Sequence, residues 1–195
     1  LGLLYSAFTY YTGFRVNRGE YKLMGLAPYG KPKYVDLIKD KLVSIKDDGS
    51  ICLNMNYFGF LDQMVMTNKN FDKLFGGPPR EPESKITRKE CDIAKSIQVV
   101  TEEIILLMAN HAYEITGCKF LCLAGGVALN CVANGRLIRE SKFEDIWIQP
   151  AAGDAGGSLG SALFANNYLS DFSSSRNKDI QKGSYWGPSY SNNEI

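Results

Sequence analysis

Apolar residues recur at helical spacing in some stretches of this chain and cluster in short runs in others. Residues 1–13 carry a dense apolar pattern that reads as the end of a helix stopped at Gly13. After a polar stretch from Arg15 to Gly19, the segment Glu20 to Gly30 predicts a short helix that Pro28 and Gly30 terminate. Val35 to Ile45 predicts a second helix, and Asp47-Asp48-Gly49 a turn before a strand over Ile51 to Met55. Tyr57 to Pro82 reads as irregular, with one short helix near Asn70 to Leu74 and a loop at Gly76-Gly77-Pro78-Pro79. The longest helix is predicted over Thr87 to Thr116. There Ile93, Ile97, Val100, Ile104, Leu107 and Met108 fall three and four residues apart, and Gly117 stops the run.

The pattern then changes. Phe120 to Leu123 predicts a strand, followed by Ala124-Gly125-Gly126 and a helix running to about Arg139. Ile146 to Ile148 predicts a second strand, followed by Pro150 to Gly153 and a helix over Asp154 to Asn167. Strand, helix, strand, helix is the order of an α/β domain with a parallel or mixed sheet. From Ser170 to Ile195 the chain is rich in Ser and Asn, and reads as a surface segment or linker.

Composition narrows the class without naming a function. At 195 residues, 45% hydrophobic and 22% charged, the chain is long enough to bury a core. A net charge of +1 gives no polybasic surface for nucleic acid or membrane, and no apolar run reaches membrane-spanning length. The start lacks an initiator Met, a basic flank and a cleavage site, so the reading is a cytoplasmic fragment of something longer. The five cysteines contain no CxxC and there is one histidine, so reduced, packed thiols are expected in place of disulfides or a Cys/His zinc site.

The two glycine-rich turns carry the candidate chemistry. Gly125 and Gly126 follow a strand and open a helix, where missing Cβ atoms let a ligand approach the backbone. The first helical N–H groups suit a phosphate or ribose oxygen, and Asn130 offers an amide. The plainer reading is a tight turn with glycines for packing. The second turn, Gly153 to Gly157, repeats the design, with Asp154 near the helix start as a cap or as a carboxylate toward a divalent metal. Two such turns on adjacent strands face one crevice. Neither is a Walker loop or a GxGxxG fingerprint.

Three segments in order, Gly19 to Gly30 (GEYKLMGLAPYG), Leu123 to Gly135 (LAGGVALNCVANG) and Gln149 to Gly156 (QPAAGDAG), closely resemble the O-carbamoyltransferase family, which includes nodulation-type and antibiotic-tailoring enzymes. The resemblance covers most of residues 1–168. It implies the second lobe of an actin-like, ribonuclease H-like ATPase domain, with residues 169–195 leading toward an absent adenylate-forming domain. It further implies ATP, carbamoyl phosphate, a carbamoyl-adenylate intermediate and a small-molecule hydroxyl acceptor. By the same resemblance, Lys22, Gly125, Gly126, Asn130 and Gly153 bind the nucleotide. Asp154 matches a metal-ligating aspartate whose two histidine partners precede Leu1, with iron, zinc and magnesium all open. Gly157 to Ser161 departs from the bulkier or Ala-rich residues of relatives, which bears on helix packing.

Lys22 also has the plainer reading of a solvated helix lysine, and Glu20 either bonds a ribose hydroxyl or charges the first turn of its helix. Gln98 and Glu102, one helical turn apart on one face, either reach the cleft or, on the plainer reading, face solvent. His111 is expected on a packed or surface face, the run Arg80 to Glu90 as a solvated loop, and Tyr10, Tyr11 and Phe14 in the core. Two rival readings remain, a non-catalytic actin-like nucleotide-binding module and a sugar or acyl kinase of the same superfold.

Overall fold

The computed structural model of the chain describes residues 1–169, 184 and 187–195. Helix α1 (Gly2–Tyr11) ends where Thr12 and the left-handed Gly13 (φ 79°) turn the backbone away. Helix α2 (Glu20–Leu26) passes through a 3-10 turn at Ala27–Tyr29 and stops at Gly30.

The expected helix over Val35 to Ile45 is corrected. A three-residue helix α3 (Val35–Leu37) widens into a π turn at Ile38–Leu42, and the chain then extends as β1 (Val43–Ile45). Strand β1 pairs antiparallel with β2 (Ile51–Leu53), Val43 opposite Leu53 and Ile45 opposite Ile51. The turn between them closes through Lys46 and Ser50, with Gly49 at a φ of 80°. Helical spacing of Val35, Ile38, Leu42 and Ile45 masks the hairpin, because a short apolar run fits either element. Strand β2 also ends earlier than expected, since the Asn54 side chain accepts from the Asn56 amide and caps a 3-10 turn at Met55–Tyr57.

Helix α4 (Lys69–Leu74) starts under the Asn68 side chain, which accepts from the Asn70 and Phe71 amides. Helix α5 (Arg88–Thr116) has a capping box. The Thr87 side chain accepts from the Lys89 amide while Glu90 accepts from the Thr87 amide, and Gly117 (φ 63°) ends the helix.

Ile93, Ile97, Val100 and Ile104 are wholly buried, and they join Leu4, Phe8, Leu23, Ile38 and Leu42 in one core. Phe8, Tyr11, Phe71 and Phe75 pack ring against ring in it, with Phe8 and Phe71 centroids 5.2 Å apart. The α5 stripe fades toward its end, where Leu107 is half-buried and Met108 exposed. Of the aromatics expected in the core, Tyr11 is buried, while Tyr10 and Phe14 are half-buried. The run Arg80 to Glu90 is not a purely solvated loop. Arg80 donates to the Thr12 carbonyl at 2.7 Å and lies over the Phe14 ring, and Glu90 is buried.

Beyond α5 the α/β order holds. Strand β3 (Phe120–Leu123) leads through the glycine turn to α6 (Cys131–Glu140), and β4 (Asp145–Ile148) leads to α7 (Gly156–Leu169). β3 and β4 pair in parallel, Phe120 opposite Asp145 and Leu123 opposite Ile148. Parallel strands are ordinarily covered on both faces. Here no residue of either strand is buried, and neither is any residue of α7. The expectation that the thiols are packed is also corrected. Cys52, Cys118, Cys122 and Cys131 are exposed and Cys91 is half-buried, all as free thiols. Most of the tail over residues 169–195 lies outside the described residues, and Gly187 to Tyr190 is exposed.

Candidate nucleotide turn

The two glycine turns lie side by side. The Gln149 amide donates to the Leu123 carbonyl at 3.1 Å, which carries the pairing of β3 and β4 to the strand ends. The Gly125 amide then donates to the Ala152 carbonyl at 2.7 Å, joining the first turn to the second. Gly125 has a φ of 94°, a conformation that side chains resist, so glycine is required there by the backbone itself. Gly126 has no such demand, and a Cβ added to either residue would meet nothing within 4 Å. The backbone therefore presents an open face. A Cβ on Gly153 would rest against the exposed Leu129 at 3.7 Å, an ordinary contact.

The α-helix does not start straight after Gly126, as the sequence pattern predicts. A 3-10 turn spans Gly126–Leu129, and Asn130 breaks it with a ψ of 88° before α6 begins. The Asn130 Oδ1 accepts from the Ala133 amide at 3.0 Å and so caps α6. The same amide group is 9% exposed and bonds to Gln98 in both directions, each at 3.1 Å. Asn130 thus spends its polar atoms inside the chain, bracing the turn from behind.

Gln98 is the residue that sequence reasoning misplaced. The plainer reading places it on a solvated face, but it is 1% exposed. Its Oε1 accepts from the Tyr5 hydroxyl at 2.9 Å, and its Nε2 donates to Glu102 at 2.9 Å. Glu102 in turn lies 3.8 Å from the Arg136 guanidinium of α6. Burial, then the Glu102 and Glu20 charges, push the Tyr5 phenol well above its ordinary range, so it stays a hydrogen donor. A polar residue within the small-residue face Ala94, Gln98, Thr101 was the available signal.

The remaining candidates are scattered. Lys22 is exposed and lines a groove of about 940 Å³ with Phe14, Arg15, Phe60 and Pro79, and neither glycine turn lines that groove. Helix α2 meets the turn region through Met24, whose Sδ lies 3.8 Å from the Cys131 Sγ. The Glu20 carboxylate is occupied by the Ser6 hydroxyl and by the Asn17 and Gly19 amides. Asp154 is exposed and precedes α7, its carbonyl accepting from the Gly157 amide. Among the described residues no group of three or more His, Cys, Asp or Glu comes together. One exposed carboxylate does not make a metal site, so the described residues do not by themselves fit a metal. The open glycine backbone does fit a nucleotide's anionic or ribose oxygens. Among the described residues no helix is long and apolar enough to cross a membrane.

A family model described as Carbamoyltransferase N-terminus matches residues 1–163. An uncharacterized protein of Synechocystis sp. is 63% identical over 196 residues, covering 100% of this chain and 32% of its own length. The nodulation protein NolNO of Sinorhizobium fredii is 38% identical over 96% of this chain and 25% of its own length. The nodulation protein NolO of Bradyrhizobium diazoefficiens is 34% identical, over 100% and 33% respectively. The chain thus spans a third or less of the length of these relatives.

Proposed function

Because the chain belongs to the carbamoyltransferase N-terminus family, we propose that it is the nucleotide-binding part of an ATP-dependent O-carbamoyltransferase. In this reading, carbamoyl phosphate, ATP and one water give carbamoyl-adenylate, with phosphate released from carbamoyl phosphate and pyrophosphate from ATP. A hydroxyl oxygen of a small-molecule acceptor attacks its carbamoyl carbon, AMP leaves, and the acceptor gives up its hydroxyl proton. The fold that accompanies this is the second lobe of an actin-like ATPase domain, with residues 169–195 leading toward an adenylate-forming domain. The parallel β3–α6–β4 unit and the greater length of the relatives support it. ATP as co-substrate argues for a cytoplasmic setting.

The observation that carries the reading is the hydrogen-bonded pair of glycine turns with an open backbone face. Gly125 and Gly126 admit a nucleotide's oxygens close to the main chain, Gly153 sets the second turn against Leu129, and Asn130 holds the first turn in place. Lys22, by the family motif it belongs to, offsets phosphate charge, although in this chain it lines a groove apart from the glycine turns. Asp154 serves as one metal ligand whose partners lie outside this chain, and no step of the reaction is assigned to that metal.

Isothermal titration of the purified chain with ATP tests the site. Weak binding to the parent, abolished in Gly126→Val with the melting temperature unchanged, is the supporting outcome. No heat with the parent, or equal binding by the variant, refutes the assignment.

A further inference from the structure

The amide of Gln98 sits where α1, α5 and the start of α6 meet, and nothing in the proposed chemistry uses it. It makes every hydrogen bond an amide group can make. Two donors go to Glu102 and Asn130, and two acceptor positions take Tyr5 and Asn130. Burying such a group costs free energy unless all of its bonds are satisfied, and a Leu or Met here would pack without that demand. The network's effect is therefore positional. It fixes Asn130, and Asn130 decides where the 3-10 turn ends and α6 begins. A second bond locks the same stretch, from the Asn134 side chain to the Ala128 carbonyl at 2.7 Å.

We propose that Gln98 is a positioning residue for the Gly125-Gly126 turn. Through its paired amide bonds to Asn130 it holds the turn's open backbone in the geometry that receives nucleotide. The inference rests on the nucleotide reading above. Without Gln98, Asn130 keeps only its cap to the Ala133 amide and loses both bonds that tie it to α5. The 3-10 turn and the first turn of α6 are then no longer held to one register, and the glycine backbone no longer keeps one position. Tyr5 acts one step further out, setting the orientation of the Gln98 carbonyl.

The test uses the full-length protein that contains this chain, with ATP as the probe. Three variants are compared at a temperature where each is folded: Gln98→Leu, Tyr5→Phe and the packing control Ile97→Val, whose side chain is buried beside Gln98 on α5. Titration calorimetry gives the ATP Kd, and hydrogen exchange reports protection of residues 126–133. The expected result is an ATP Kd raised at least tenfold in Gln98→Leu and a few-fold in Tyr5→Phe, with faster exchange at 126–133 in both. Ile97→Val lowers the melting temperature and leaves Kd and local exchange unchanged. A Gln98→Leu Kd within twofold of the parent overturns the proposal, as does an equal loss in Ile97→Val. If Gln98→Leu does not fold, Tyr5→Phe decides by the same two readouts. If the parent itself binds no ATP, the nucleotide reading falls, and unchanged exchange at 126–133 in Gln98→Leu then overturns the positioning role on its own.

Discussion

Gly30 lies against the carbonyl of Cys91 on α5 with no space between them for a Cβ. The segment after α2 is laid along α5 at successive points. Arg88 donates to the Tyr29 carbonyl at 2.9 Å, the Lys31 amide to Asp92 at 2.7 Å, and the Tyr34 amide to Ser96 at 2.9 Å. Part of the Gly19 to Gly30 motif is thus a docking element for the core. Gly30→Ala is expected to destabilise the fold by about 1–3 kcal/mol, because an α5 carbonyl cannot retreat as a side chain would. Thermal melting checks it, and an unchanged midpoint would show that the turn adapts.

Asp92 is the charged anchor of that docking. It is 1% exposed and pairs with Lys33 at 2.6 Å and Arg88 at 3.0 Å. Burial alone pushes its carboxyl up, but the Lys33 and Lys31 hydrogen bonds and the Lys33 and Arg88 charges outweigh it and hold the group below its ordinary 3.8. A lowered folded value means stability that is present above the unfolded value and lost as pH falls through the folded one. Asp92→Asn is expected to cost about 2 kcal/mol at neutral pH. That gap should begin to close as pH falls below the unfolded carboxyl's ordinary value and close fully only as pH falls through the lowered folded one, where the parent's carboxyl also becomes neutral. Denaturant melts at several pH values test this, and a gap that stays constant with pH would rule it out.

The glycines at 125 and 126 separate backbone strain from ligand access. Gly125→Ala forces a side chain into a φ of 94° and is expected to cost about 1–2 kcal/mol. Gly126→Ala places a methyl in open space and should change stability by less than about 0.5 kcal/mol. Equal destabilisation of the two, measured by chemical denaturation, would contradict the geometry. A fall in ATP affinity for Gly126→Ala alone would mark where the ligand sits.

The parts of this fold that could be read from sequence are those set by local pattern. The Ile93 to Ile104 stripe gives α5, Gly117 ends it, and apolar runs followed by glycines give the β3–α6–β4 order. Long-range partners were not readable. The β1–β2 hairpin depends on Val43 meeting Leu53, while residues 35–45 by themselves carry a helical spacing. Gln98 looked solvated because its partner, Asn130, lies 32 residues away. Asn130 was legible as a candidate, but its role as a cap turned inward was not. Lys22 and the glycine turns belong to motifs that resemble one family, yet they line different surfaces of this chain.

The thiols test how open the β3–α6–β4 half is in the isolated chain. The apolar neighbours of Cys122 on β3 and Cys131 on α6 made them look packed, yet both are exposed, and β3 and β4 alternate exposed and half-buried positions with none buried. Cys52 and Cys118 are exposed as well. Cys91 differs, since it is half-buried on α5 and burial pushes its thiol up, which lowers its thiolate fraction. Titrating the folded, isolated chain with a thiol-specific disulfide reagent should therefore give four fast equivalents and one slow one. Urea should make the fifth equivalent fast. Fewer than four fast equivalents before urea would mean that the sheet face is covered even in the isolated chain, by self-association or by its own tail. Dilution separates these outcomes, because only self-association releases the thiols as concentration falls.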